Sequence, residues 1–184
     1  MKKTAIKWIM ILALALLQNA FAGNEINGIG IGAVVALPSG DLSNFAGTGF
    51  GGIGTLRYEF NKDISLTGSI GYVKFGGKEF SFFATEGYKY NYAVIPIMTG
   101  GRYYLMPEDA GARFHVGGQL GYHIYTVSLE TPDGGSTLAS ASGTSNFALV
   151  PTVGVELGSI DISAHYTLAD FSYIGIQVGF LFSK

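Results

Sequence analysis

The chain has 184 residues, of which 13% are charged, 48% hydrophobic and 14% aromatic, with 28 glycines and a formal net charge of −2. This length predicts one domain, and the high hydrophobic content excludes an intrinsically disordered protein. The chain has no cysteine, which excludes disulfides, thiolate metal sites and cysteine nucleophiles, and its near-neutral charge gives no electrostatic footprint for nucleic acid.

The first 22 residues have the pattern of a cleaved bacterial signal peptide. Three lysines precede an apolar run over residues 8–17, and Ala20-Phe21-Ala22 supplies the small residues at which signal peptidase cuts. The apolar run is about half of the ~20 residues that a membrane-spanning helix needs. We therefore expect Sec-type export, removal of residues 1–22 and a mature domain of residues 23–184, with eight basic and thirteen acidic residues.

From residue 23 onward the apolar residues recur at every second position. This period is typical of β-strands and not of helices, and no window shows a convincing 3.6-residue period. The pattern predicts eight strands, near residues 26–37, 49–60, 63–75, 89–106, 112–128, 146–157, 159–169 and 172–182.

The predicted connections alternate between short turns and longer loops, except that the seventh, around Asp170-Phe171, is short. Short turns follow the second, fourth and sixth strands, whereas loops of residues 38–48, 76–88 and 129–145 follow the first, third and fifth. An even number of antiparallel strands with this alternation is typical of an outer-membrane barrel. The predicted fold class is therefore an all-β, eight-stranded antiparallel up-and-down transmembrane β-barrel, with the short turns in the periplasm and the loops outside.

The residue types on the two faces of the strands indicate which face meets the solvent. A soluble lipocalin-like barrel also alternates, but its apolar face points inward and its outer face would carry many Lys and Glu. Here the polar face consists mainly of Gly, Ser, Thr and Gln, and the other face is bulky and almost uncharged. We therefore expect lipid against the apolar face and a narrow polar lumen that contains His115, Gln119, His123, His165 and Gln177.

Aromatic residues of the predicted outer face fall into two groups, one near each end of the strands. Strands are rich in aromatics in any case, but membrane barrels concentrate them at both lipid–water interfaces. We predict a girdle at the end of the short turns and another at the end of the loops. Their members are Tyr58, Phe60, Tyr103, Phe114, Phe180 and Phe182 in the first, and Phe50, Tyr72, Tyr122, Phe147 and Tyr166 in the second.

Several segments resemble the small outer-membrane β-barrel domains of Gram-negative bacteria. They are residues 30–41, Ile95-Pro96-Ile97 with residues 101–105, residues 115–122, and the closing Phe180-Leu181-Phe182. The chain departs from this family by adding Ser183-Lys184 after the last aromatic residue. The resemblance implies a location in the outer membrane, assembly by the outer-membrane assembly machinery and contact with lipid and lipopolysaccharide. It does not imply one activity, and we expect a monomer.

Six charged residues of the predicted lumen fall within about four residues of the end that carries the short turns. An eight-stranded barrel is just wide enough inside for its side chains, and an unpaired charge there would be costly. We expect a neutral network that plugs the periplasmic half, so that Arg102→Ala would destabilise the barrel or raise its conductance. The alternative is a gate that rearranges to pass small solutes. The six are Arg57, Glu59, Arg102, Arg113, Glu156 and Asp161.

The histidines give little support for a metal site or an active site. His115 and His123 are eight residues apart, roughly 26 Å along a strand, so they cannot share an ion. His115 or His165 with Asp161 is a conceivable metal site, and Ser163 before His165 is weak evidence for nucleophilic catalysis. We expect no metal, no cofactor and no enzymatic activity.

The predicted function is therefore structural, in membrane integrity, or recognition of a surface ligand through the loops. Residues 80–90 contain an aromatic segment at the outer end of the third and fourth strands. The glycines at 30, 32, 121 and 179 are expected to leave a small cup open to the outside. A narrow, passive porin-like channel is the second hypothesis, and a soluble periplasmic ligand-binding barrel is the third.

Overall fold

The computed structural model describes residues 28–77, 89–130 and 137–183. None of the helices within these ranges is long and apolar enough to cross a membrane. The elements in chain order are β1 (Gly28–Pro38), α1 (Leu42–Phe45), β2 (Ala46–Glu59), β3 (Ile64–Gly77), β4 (Lys89–Tyr104), β5 (Arg113–Glu130), β6 (Thr137–Leu157), β7 (Ile160–Thr167) and β8 (Tyr173–Ser183).

The eight strands form a closed barrel in which each strand is antiparallel to the next along the chain. β1 and β8 close it with eleven residue pairs, from Gly28 opposite Ser183 to Pro38 opposite Tyr173. Closure pairs the backbone N–H and C=O groups of every strand within the sheet, so the barrel needs no partner at an edge. The predicted fold class is confirmed.

Two of the predicted loops are shorter than expected. β5 and β6 remain paired as far as Glu130 opposite Thr137, so most of the predicted loop 129–145 is strand and the connection is residues 131–136. From Thr137 onward this segment pairs with β5 instead of forming a loop. The predicted loop 38–48 contains α1 and ends where β2 begins at Ala46, and residues 78–88 lie outside the described part of the chain.

The turns at the opposite end are tight for identifiable reasons. In the β2–β3 turn, the Asn61 side-chain oxygen accepts hydrogen bonds from the backbone N–H groups of Asp63 and Ile64, at 2.9 and 2.8 Å. In such an Asx turn, the side-chain oxygen takes the place of a backbone carbonyl as hydrogen-bond acceptor, so the chain can reverse within a few residues. In the β6–β7 turn, Gly158 has a φ of 59°, a left-handed conformation that glycine adopts without steric cost.

Side chains alternate between the lumen and the outer surface along every strand. The outward positions carry exposed aliphatic side chains, such as Ile31 (61% exposed), Ile70 (58%) and Val153 (57%). The inward positions carry the polar residues, which is the reverse of the arrangement in a soluble barrel. The barrel therefore presents an apolar band to its surroundings.

The structure places ten of the eleven predicted girdle rings on the exposed outer surface, for example Phe60, Phe50 and Phe147. Tyr58 is the exception. It occupies an outward position of β2, but neighbouring protein atoms leave only 7% of it exposed. Its outward direction agrees with the prediction, and its place in the girdle stays a prediction.

A cluster of buried apolar side chains fills the lumen at the loop end. We call it the apolar cap; it consists of Val34, Ala36, Leu42, Ala46, Val73, Phe75, Val94, Tyr125 and Tyr173. α1 contributes the buried side chain of Leu42 to this cluster. Phe75 is fully buried, and its ring lies where a side chain at Gly49 would otherwise be, since a Cβ there would come within 2.7 Å of the ring.

The apolar cap overturns the expected open cup. Gly30 and Gly32 pair with Leu181 and Gly179, which places them towards the short turns and away from the loop end. A side chain's depth depends on how neighbouring strands are staggered, and the two-residue alternation does not contain that information. The outer end of the lumen is filled, not open.

Phe75→Ala should destabilise the folded barrel by about 3–5 kcal/mol, because it removes a fully buried aromatic ring and leaves a cavity. Urea unfolding of the protein in lipid vesicles measures this difference. Phe50→Ala on the outer surface serves as the matched control, since it removes the same ring without opening an internal cavity. Equal unfolding midpoints for the two variants would show that the cap does not stabilise the barrel.

Candidate functional site in the lumen

Neighbouring strands bring the predicted lumen charges together at the end of the short turns. Arg113 on β5 lies opposite Glu156 on β6, and Glu156 in turn lies opposite Asp161 on β7. Arg102 on β4 and Arg57 on β2 reach the same region from across the lumen, and all five residues are at most 9% exposed. The register of the sheet therefore assembles the site.

Arg57 and Glu156 form the first group of the network. The Nη1 of Arg57 lies 2.6 Å from the Oε2 of Glu156, and the Tyr104 hydroxyl donates a hydrogen bond to the same oxygen at 3.0 Å. Arg57 also donates to the Tyr104 oxygen at 3.3 Å. Glu59 lies 3.4 Å from Arg57 with its side chain 33% exposed, so it is at the solvent edge of the network.

Arg102 and Asp161 form the second group. The Nη1 of Arg102 donates to the Oδ2 of Asp161, and the Nε2 of His115 lies 3.4 Å from that oxygen. Asp161 is 2% exposed and His115 is 1% exposed. A carboxylate so far from water needs such partners, because desolvation would otherwise make its charged form very costly.

Arg113 contacts neutral groups. Its Nη2 donates to the backbone carbonyl of Lys62 in the β2–β3 turn at 2.7 Å, and its guanidinium carbon lies 3.9 Å from the centre of the Tyr104 ring. The guanidinium therefore receives a hydrogen-bond acceptor and a cation–π contact.

Tyr104 connects these groups, and sequence reasoning did not select it. Its hydroxyl joins Arg57 to Glu156, its face carries Arg113, and its ring edge meets His115 with the ring centroids 5.7 Å apart. The signal was present: Tyr104 is two residues from Arg102 on β4 and therefore shares its inward face. Of the two adjacent tyrosines, only the outward-facing Tyr103 was selected, as a member of the girdle.

A small cavity separates the charge network from the apolar cap. We call it the chamber. It has a volume of about 40 Å³, and its walls combine the polar side chains of Gln119, His123, His165 and Gln177 with apolar ones such as Met98 and Val150. Gln119 donates to the Thr67 hydroxyl at 3.1 Å. The chamber has room for only a few waters. From the short turns to the loops, the lumen therefore consists of the charge network, the chamber and the apolar cap.

The three histidines do not act together. His115 belongs to the charge network beside Asp161, whereas His123 and His165 line the chamber, each about 6 Å from the Tyr173 ring. The conceivable metal site of His165 with Asp161 is therefore not assembled. Among the described residues, no group of three or more His, Asp or Glu could hold a metal ion.

Comparison with solved structures identifies the fold. The barrel superposes on Ail, the attachment invasion locus protein of Yersinia pestis solved with the heparin analogue sucrose octasulfate, over 85% of this chain and 97% of Ail, with 20% identity and a TM-score of 0.53. It superposes on Neisserial surface protein A over 88% of this chain and 99% of that protein, with 15% identity and a TM-score of 0.56. Neither a protein-family model nor a curated protein matches the sequence.

This chain has the fold of the small outer-membrane β-barrels. The resemblance noted in the sequence is thereby confirmed at the level of architecture. An outer-membrane barrel of eight strands encloses a lumen that side chains fill, and here the charge network and the apolar cap fill it on either side of the chamber. Its rim, its chamber and its loops are the places where specific chemistry can occur.

Arg102→Met should cost about 3–5 kcal/mol of stability, because it leaves the Asp161 carboxylate buried with only the histidine contact. Adding Asp161→Leu should recover most of that loss, since the buried charge is then gone as well. Unfolding in vesicles of the two single variants and the double variant provides a double-mutant cycle. Additive losses would show that the two side chains are not energetically coupled.

Proposed function

We propose that this chain is a non-enzymatic, integral barrel of the bacterial outer membrane with a closed lumen. It acts by contributing to membrane integrity or by presenting loops for surface recognition. The observation that carries the proposal is the combination of an apolar band on the outside with a lumen closed twice, by the charge network and by the apolar cap. Such a barrel is suited to residing in a bilayer and offers no continuous path for a solute.

The proposed location has support from the outer surface and from the ends of the chain. The apolar band supplies the lipid contact, and the exposed rings at its two edges suit the lipid–water interfaces. Residues 1–22 are proposed to direct Sec-type export, and the exposed Phe182 near the C-terminus is proposed to be read by the assembly machinery. A sheet closed on itself needs no second copy, which supports a monomer.

The proposed surface role rests on the asymmetric rim. β5 and β6 continue as a paired ladder up to Glu130 and Thr137, whereas β7 and β8 end near Thr167 and Tyr173. The rim therefore carries a raised hairpin that can present its connecting loop. Ail was solved with a heparin analogue. The exposed rim of this chain includes the carboxylates of Asp41 and Asp170, which would repel a sulfated ligand, so we do not propose one.

A narrow pore is the second candidate, because the chamber already interrupts the packing at mid-height. The wild-type protein should nevertheless be silent in a planar bilayer, since the charge network and the apolar cap each close the lumen. Arg102→Ala alone should also be silent, which revises the expectation from the sequence. Only Arg102→Ala combined with Phe75→Ala and Tyr173→Ala should conduct, and steady wild-type current would establish a pore.

Ile70→Arg should destabilise the barrel in vesicles by about 2–4 kcal/mol, because it places a charge in the middle of the apolar band. Thr48→Arg, at an exposed position near the rim, is the matched control and should cost little. Unfolding in vesicles and recovery from isolated outer membranes measure the effect. A variant with Ile70→Arg that remains as stable as the control would indicate that the outer face meets water, as in a soluble periplasmic barrel.

A further inference from the structure

We propose that the chamber binds a soft monovalent metal ion of the Cu(I) class, with Met98, His123 and His165 as its ligands. These side chains line one small cavity from three strands, β4, β5 and β7. Thioether sulfur and imidazole nitrogen are the donors that Cu(I) selects in proteins. The inference does not depend on whether the barrel serves membrane integrity or surface recognition.

The register of the sheet places two of the ligands side by side. Met98 pairs with Gly121, and His123 pairs with Pro96, so Met98 and His123 are diagonal neighbours on the inward face of adjacent strands. Side chains of this length reach one another across such a diagonal. Met98 is 6% exposed and His123 is 1% exposed, so both donors are held inside the lumen.

The third ligand faces the chamber from β7, and Tyr173 lies close to both imidazoles. Its ring centroid lies 6.0 Å from that of His123 and 6.1 Å from that of His165. His165 sits against Gly175 on β8, at a position where a Cβ would collide with the imidazole. Glycine at 175 therefore leaves the space that the His165 ring occupies beside the chamber.

One imidazole nitrogen of the chamber, like several other buried polar atoms of the lumen, has no hydrogen-bond partner among the described residues. This nitrogen is the buried Nδ1 of His123. Buried polar atoms in native proteins are almost always satisfied. A metal ion in the chamber would take the lone pair of a neutral imidazole and remove that cost.

The charges around the chamber favour a soft monovalent ion over a hard divalent one. The described residues that line it include no Asp or Glu, and the one charged side chain, Arg102, is paired with Asp161. Mg²⁺ and Ca²⁺ require several oxygen ligands, most often carboxylates. A single positive charge on sulfur and nitrogen ligands needs the least compensation in a buried site.

The sequence makes the proposal simple to test. There is no cysteine, His115 is the one other histidine, and beyond residue 22 the one other methionine is Met106. Met106 is 41% exposed outside the chamber. Met98→Leu conserves volume and should keep the fold, and Met106→Leu is the matched control.

The probe is Ag(I), a redox-stable substitute for Cu(I), added as the nitrate in chloride-free detergent solution both during refolding of residues 23–184 and after it. Titration should show one equivalent bound by the wild type and by Met106→Leu. Loss of a group that supports a metal ligand weakens metal sites by about 10–100-fold. Met98→Leu, His123→Gln and His165→Gln each remove a proposed ligand, so each should weaken binding by at least about tenfold. NMR should show the His123 and His165 ring signals shifting with that equivalent.

Three results would overturn the assignment. One is failure of the wild type to bind Ag(I) even when refolded in its presence, which removes access to the chamber as an explanation. Another is binding that Met106→Leu weakens as much as Met98→Leu, since this would place the ion on an exposed thioether. The third is a shift of the His115 signals in place of those of His123 and His165, which would place the ion in the charge network.

Discussion

The narrowness of the closed barrel is the constraint on which the rest of the structure depends. Eight strands joined into one antiparallel ring force every second side chain into a lumen that has no room for a column of water. Each inward residue must therefore find its partners among other inward residues. The charge network, the chamber and the apolar cap are three ways of meeting that requirement at three depths.

The charge network shows how the requirement is met where the side chains are ionised. Burying a charge costs more than one contact returns, so each group needs several partners. Glu156 has both Arg57 and the Tyr104 hydroxyl, and Asp161 has both Arg102 and His115. Because Tyr104 touches members of both groups, the network behaves as one unit, and loss of one arginine affects more than its own ion pair.

The sequence indicates which face of a strand each residue occupies, but it says little about the position of a side chain along the barrel axis. Period-two alternation was enough to predict eight strands, the apolar outer band and the inward direction of Arg57 and Asp161. It was not enough to predict that Phe75, Tyr125 and Tyr173 belong to one buried cluster, because that depends on the stagger between strands β3, β5 and β8. The same gap explains why Gly30 and Gly32 were assigned to the wrong end.

Where function can reside follows from the closure itself. A buried side chain of the charge network or of the cap contacts other lumen residues, so it cannot contact a partner outside without opening the barrel. Contacts with lipid belong to the outward band, and contacts with other molecules belong to the rim and loops. The chamber is the exception, because its walls combine soft donors with a buried histidine nitrogen that no described side chain satisfies. A small ion is the partner that suits such a space, since it can be enclosed without disturbing either closure.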